Sequence, residues 1–90
     1  MRSGDVYWGV TGAAGERPYL VLTRTAAIAV LDRITVVPCS TSIRGIPTEL
    51  PLGREAGLDH ESVAQLDSLM PAMKASLHRH RRAAIRARFG

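Results

Sequence analysis

Apolar and polar residues alternate near the start of the chain, where Val6, Trp8 and Val10 fall between Asp5, Tyr7 and Gly9 at the two-residue period of a strand. That spacing predicts a strand over 5–10 with one buried face, formed by Val6, Trp8 and Val10. Residues 11–16 are rich in Gly and Ala and read as a loop. Arg17-Pro18 restarts an extended segment, and the apolar run 19–23 predicts a well-buried central strand. Thr25 ahead of the Ala-rich stretch 26–31 predicts a short helix with Thr25 as its cap. The β-branched run 33–40 predicts a second long strand, Arg44-Gly45 signals a turn, and 47–52 reads as the returning strand, so the two are expected to form a hairpin. Residues 53–61 read as a polar loop, 62–66 as a short strand, and 71–89, mostly helix formers, as a C-terminal helix.

Short strands, tight turns and a terminal helix predict a mainly β, α+β domain, a small barrel or half-barrel occupying 1–90 as a single unit. A chain of 90 residues buries only about 60 to 65% of its unfolded surface, so a dimer interface would add to its stability. The apolar fraction of 46% comes from Val, Ile, Leu and Ala with few aromatics, which supports a core but supplies few stacking platforms for bases. Trp8, Val21, Val37 and Cys39 are read as core, and Gly4, Gly15 and Gly45 as turn positions.

Charge changes the picture more than composition. All eight acidic residues lie at or before Asp67, whereas Lys74, Arg79, Arg81, Arg82, Arg86 and Arg88 follow it. A slightly negative body with a basic tail fits a polyanionic partner, nucleic acid being the commonest, and equally fits a solvated helix face. The lone Cys39 excludes an intramolecular disulfide and fits a reducing cytoplasm. No apolar run approaches 18 residues and no signal core is visible, so neither membrane insertion nor export is expected. P-loop, Cys-x-x-Cys and His-Glu-x-x-His motifs are absent, and His60, His78 and His80 have no carboxylate partners at ligand spacing. No metal or cofactor is expected.

Five segments in order carry a resemblance. They are Ser3-Gly4-Asp5-Val6-Tyr7-Trp8, Glu16-Arg17-Pro18-Tyr19-Leu20-Val21-Leu22, Val36-Val37-Pro38-Cys39-Ser40-Thr41-Ser42, Arg44-Gly45-Ile46-Pro47-Thr48-Glu49-Leu50-Pro51-Leu52 and Gly57-Leu58-Asp59-His60-Glu61-Ser62-Val63-Ala64-Gln65-Leu66-Asp67. Over about residues 3–70 the chain resembles the MazF/PemK/Kid toxins. The resemblance implies an SH3-like barrel, a homodimer, and metal-independent cleavage of single-stranded RNA by attack of a ribose 2′-hydroxyl on the adjacent phosphate.

Such chemistry needs a cation and hydrogen-bond donors at the phosphate and an acceptor for the 2′-hydroxyl proton. By resemblance Arg17 is the active-site arginine, whose planar fork suits a phosphate. Ser40 occupies the position of a catalytic threonine, with Thr41 and Ser42 beside it. Arg44 and Asp67 match positions bordering the RNA. Taken singly, Arg17 also fits an edge-strand charge, Ser40 a turn and Asp67 a cap.

The chain departs from the family at three places. The loop before Arg17 is shortened and leaves Glu16 as its only acid, so the general base is unassigned. Gln65 replaces a second arginine, and after about Leu69 the basic helical tail replaces a further strand and an apolar helix. The resemblance also implies an acidic antitoxin segment that competes with RNA for the same groove. The alternatives are a gyrase-directed inhibitor of the CcdB type, or a catalytically weakened relative that binds nucleic acid or antitoxin.

Overall fold

Strands β1 (Val6–Val10), β2 (Glu16–Val21), β3 (Arg33–Ser40), β4 (Glu49–Leu52), β5 (Ser62–Gln65) and β6 (Met70–Met73) follow one another along the chain, with one short helix, α1 (Thr25–Ile28), after β2. The structure is a computed structural model describing residues 1–10 and 15–79. The remaining loop residues and the expected helix beyond residue 79 lie outside the described residues. Every strand pair is antiparallel, and the sheet runs β1-β2-β3-β5-β4, with β6 also paired to β3. The result is an open, mostly β sheet with short 3-10 turns at Arg54–Ala56, Leu66–Ser68 and Lys74–Ser76.

Strand β3 is where the expected and observed elements coincide. Its apolar run does not alternate because both of its faces are covered. Ile34 and Val36 enter a cluster with Tyr7, Tyr19, Val21 and Ile28, while Val37 and Cys39 enter a second cluster with Leu20 and Ala64. These two cores lie on opposite faces of one strand, as the two-residue side-chain period requires.

Three expectations are overturned. In β1 the buried side chain is Tyr7, not the Val6, Trp8 and Val10 face: Val6 and Trp8 are half-buried, and Val10 is 64% exposed. With apolar side chains on both faces, alternation alone could not say which was inside. Thr25 is the first residue of α1 and not its cap; Arg24 precedes the helix without a side-chain cap, and the Thr25 hydroxyl accepts from the Ser3 amide at 2.9 Å. Strands β3 and β4 do not form a hairpin, because β5 lies between them, pairing Cys39 with Ala64 on one side and Leu50 with Ala64 on the other. The small, fully buried Ala64 suits that central place, whereas Pro51 lacks an amide and suits an edge.

The C-terminal helix expected from 71 is also corrected over its described part. Met70–Met73 is a strand whose residues pair with β3 from Arg33↔Met73 to Val36↔Met70. Pro71 lies within it, Met70 and Ala72 pack on the first core, and Lys74 Nζ donates to the Ile28 carbonyl at the end of α1 at 2.6 Å. Tertiary pairing here overrides helix propensity. Beyond it, the chain crosses β1, where Trp8 and His78 exchange backbone hydrogen bonds of 2.7 and 2.9 Å. Gly9 permits this approach: a Cβ there would stand 3.0 Å from Leu77 Cδ2.

The two-core arrangement predicts that Val36→Ala lowers stability in urea titrations by about 2–3 kcal/mol, combining lost transfer energy and a residual cavity. Val10→Ala, on an exposed position, is expected to shift it by no more than about 0.5 kcal/mol.

Candidate active site

The β2–β3 ladder runs Val21↔Val36, Leu20↔Val37, Tyr19↔Pro38 and then ends. Pro18 and Pro38 carry no amide hydrogen to donate at this end of the β2–β3 ladder. Two more residues in that register would set Arg17 opposite Ser40. Instead Arg17 Nη2 donates to the Cys39 carbonyl at 3.2 Å, and a cleft of about 330 Å³ opens where pairing stops. Its lining includes Arg17 and Pro18 from β2, Ser40 and Thr41 at the end of β3, Trp8 from β1, and Leu58, Asp59 and His60 from the loop before β5.

Arg17 is half-buried. A guanidinium has five N–H donors, so its bond to Cys39 anchors the fork without consuming it. Ser40 Oγ accepts from the Ser42 amide at 3.0 Å, which fixes the hydroxyl and leaves its hydrogen to donate. Ser42 thus contributes a backbone amide to the turn. The Cys39 thiol is buried and its pKa is pushed up to about 11, by burial first, against the opposing effects of a backbone hydrogen bond from Leu20 and the Arg17 charge. It is a neutral core side chain at working pH, as the sequence reading held.

Arg17, Ser40 and Thr41 therefore come together. Among the described residues, Arg44 and Asp67 do not line the cleft. Asp67 is exposed on the turn Leu66–Ser68. Arg44 is bound to Glu49: Arg44 Nε lies 3.5 Å from Glu49 Oε2, and the Arg44 and Gly45 amides donate to Oε1 at 3.0 and 2.8 Å. Glu49 is 9% exposed. Burial opposes its ionisation, but the amide donors of Gly45, Arg44 and Ile46 and the Arg44 side chain together outweigh burial and hold the carboxyl below its ordinary value near 4.5.

Sequence reasoning missed Trp8, Asp59 and His60 as cleft residues. Trp8 had been assigned to the core from its alternation, and residues 57–61 carry no spacing signal of their own. Only the fold brings that loop to Arg17, and it is held at both ends. Gly57 takes the left-handed conformation, with φ at 83°, closing the turn Arg54–Ala56. Leu58 is buried, and the buried Ser62 hydroxyl donates to the His60 carbonyl at 3.1 Å. Glu16, immediately before Arg17, is engaged elsewhere, with Oε2 2.5 Å from His78 Nε2. Among the described residues no three His, Cys, Asp or Glu side chains cluster as a metal site would require.

No protein-family model matches the chain. Individual proteins do. It is 44% identical over 69 residues to the probable endoribonuclease MazF5 of Mycobacterium tuberculosis, covering 73% of this chain and 62% of that protein. It is 40% identical over 52 residues to the endoribonuclease MazF3 of the same species, covering 58% and 50%. The chain thus spans from half to about three fifths of the length of these curated relatives. Among solved structures it resembles the M. tuberculosis toxin MazF-mt6, with a TM-score of 0.76 and 27% identity over 94% of this chain and 87% of that one. The MazE-MazF structure from Deinococcus radiodurans shares the fold, with a TM-score of 0.68 at 22% identity, over 100% and 91% of the two chains. The open antiparallel sheet is thus a fold held in common with the toxin MazF-mt6. The chain is similar to MazF proteins in sequence and in fold.

The Glu49 clamp carries a sign for pH dependence. A carboxyl whose folded pKa is depressed stabilises the fold above its unfolded value and loses that contribution as pH falls through the folded one. Glu49→Gln is expected to lower the Tm at pH 7, with the gap to the parent closing below about pH 4 as both carry a neutral side chain. Equal gaps at neutral and acid pH in thermal melts would refute the assignment.

Proposed function

We propose that the chain is an endoribonuclease toxin of a type II toxin–antitoxin system, cutting single-stranded RNA through 2′-hydroxyl attack without a metal ion. The observation that carries this reading is the meeting of the Arg17 guanidinium and the Ser40 hydroxyl in one cleft at the end of the β2–β3 ladder. Arg17 binds the scissile phosphate and neutralises charge that grows as phosphorus becomes five-coordinate. Ser40, with Thr41 beside it, donates to a phosphoryl oxygen. Relatives named as endoribonucleases favour this reading over a gyrase-directed or catalytically weakened protein.

The wider assignments follow from the same reading. The chain acts in the cytoplasm as a homodimer, a single domain whose two-core sheet is an SH3-like barrel or half-barrel. Ser42, Arg44 and Asp67 border the RNA path. An acidic antitoxin segment occupies the same groove and excludes RNA, a partnership that the MazE-MazF structure of D. radiodurans supports.

Incubation of the protein with a long single-stranded RNA in EDTA is expected to give discrete fragments ending in 2′,3′-cyclic phosphate and 5′-hydroxyl. Arg17→Ala should cut on the order of 10²–10³-fold more slowly, the usual cost of removing one charge-stabilising group. Intact RNA across varied sequences would overturn the proposal.

A further inference from the structure

The cleft that holds Arg17 and Ser40 also has to supply a proton acceptor, because a ribose hydroxyl attacks phosphorus efficiently only as its proton leaves. The other groups lining it can be taken in turn. Arg17 is a permanent cation and has no acceptor atom. The Cys39 thiol is buried and stays protonated, its pKa pushed up to about 11. Ser40 and Thr41 are hydroxyls, weak bases in themselves. Glu16, next to Arg17 in sequence, is outside the lining and is paired with His78. Asp59 already has an interaction partner, and carboxylates, with ordinary pKa values near 4, are weaker acceptors near neutral pH than an imidazole.

His60 remains. Its side chain is exposed and lines the cleft. Its backbone is not loose, since the buried Leu58 anchors the loop two residues before it and Ser62 holds its carbonyl. The cavity is on the order of ten water volumes, so groups on its lining can reach one phosphate and the ribose beside it.

We propose that His60 is the general base of the cleft, its neutral imidazole taking the proton of the attacking 2′-hydroxyl while Arg17 holds the phosphate. This rests on the ribonuclease reading above. The 2′ O–H bond breaks toward the imidazole nitrogen, and the oxygen's electron pair forms a new bond to phosphorus. The bond from phosphorus to the 5′-oxygen breaks, and that oxygen keeps the pair and takes a proton from water. The imidazolium then returns its proton to solvent, and nothing is oxidised or reduced.

The charged and titratable groups around His60 come from several elements. Arg17 of β2 and Cys39 of β3 line the same cleft, Asp59 and Glu61 flank it on its own loop, and Arg54 and Glu55 line the adjoining groove on which His60 also borders. A general base acts only in its unprotonated form, so the rate is expected to rise with pH.

The test uses a short RNA around a site that the parent protein cuts, in single turnover from about pH 5 to 9, the range that brackets imidazole titration. Binding is followed separately with the same oligonucleotide carrying a 2′-deoxy residue at the scissile position, using fluorescence of Trp8, the sole tryptophan and a cleft residue. His60→Gln is expected to slow cleavage about 100-fold or more and to flatten the acid limb, with its Trp8-detected affinity and urea midpoint close to the parent's. A His60→Gln protein that cuts with the parent's rate and pH profile overturns the proposal and leaves the ribonuclease intact. Loss of binding in parallel with rate overturns it too, reducing His60 to a contact residue. A parent that cuts no RNA removes both readings, which separates that failure from the first.

Discussion

Strand β3 hydrogen-bonds to β2 along one edge and to β6 and then β5 along the other, while its two faces carry the two apolar cores. A small domain has little surface to bury, and this arrangement uses both sides of one strand to do it. Val36 and Val37 are fully buried on opposite faces, so a one-residue slip would exchange the cores and misplace every side chain that follows. The position of the cleft depends on this register. Ser40 is the last residue of the strand, and the Cys39 carbonyl just before it holds Arg17.

The same register explains why a site forms at this end of the ladder. The β2–β3 pairing stops at Tyr19↔Pro38, next to Pro18, which has no amide hydrogen to carry it on, and polar groups that further pairing would have consumed are left to side chains. Arg17 takes one of them, the Cys39 carbonyl. A cation is thereby held half-buried against a backbone oxygen. The loop from Gly57 to Ser62 completes the lining because β5 is inserted beside β3 and brings its preceding residues with it.

How far the sequence revealed this differs by element. The run 33–40 was legible because burial on both faces demands continuous β-branched and apolar residues, a pattern few alternatives satisfy. Arg17 and Ser40 were legible through the order of five short segments, not through any local spacing. The pairing partner of β4 was not, because Ala64 and Pro51 declare their central and edge places only once non-local neighbours are known. Strand β6 was hidden by helix-forming residues whose preference yields to four cross-strand pairs with β3. His60 was hidden for another reason. A loop residue acquires a role from what lies across a cavity, and hydropathy has no view across it.

The clamp on Glu49 has an electrostatic consequence. Two backbone amides and a guanidinium converge on its carboxylate much as they would on a phosphate oxygen, so the turn carries its own internal anion. Arg44 therefore meets any polyanion already neutralised. Its approach to a nucleic acid would displace few condensed counterions, and the salt dependence of binding would fall mainly on the cations that lack such a resident partner. A motif that in sequence looks like an added positive charge is, in three dimensions, a way of removing one.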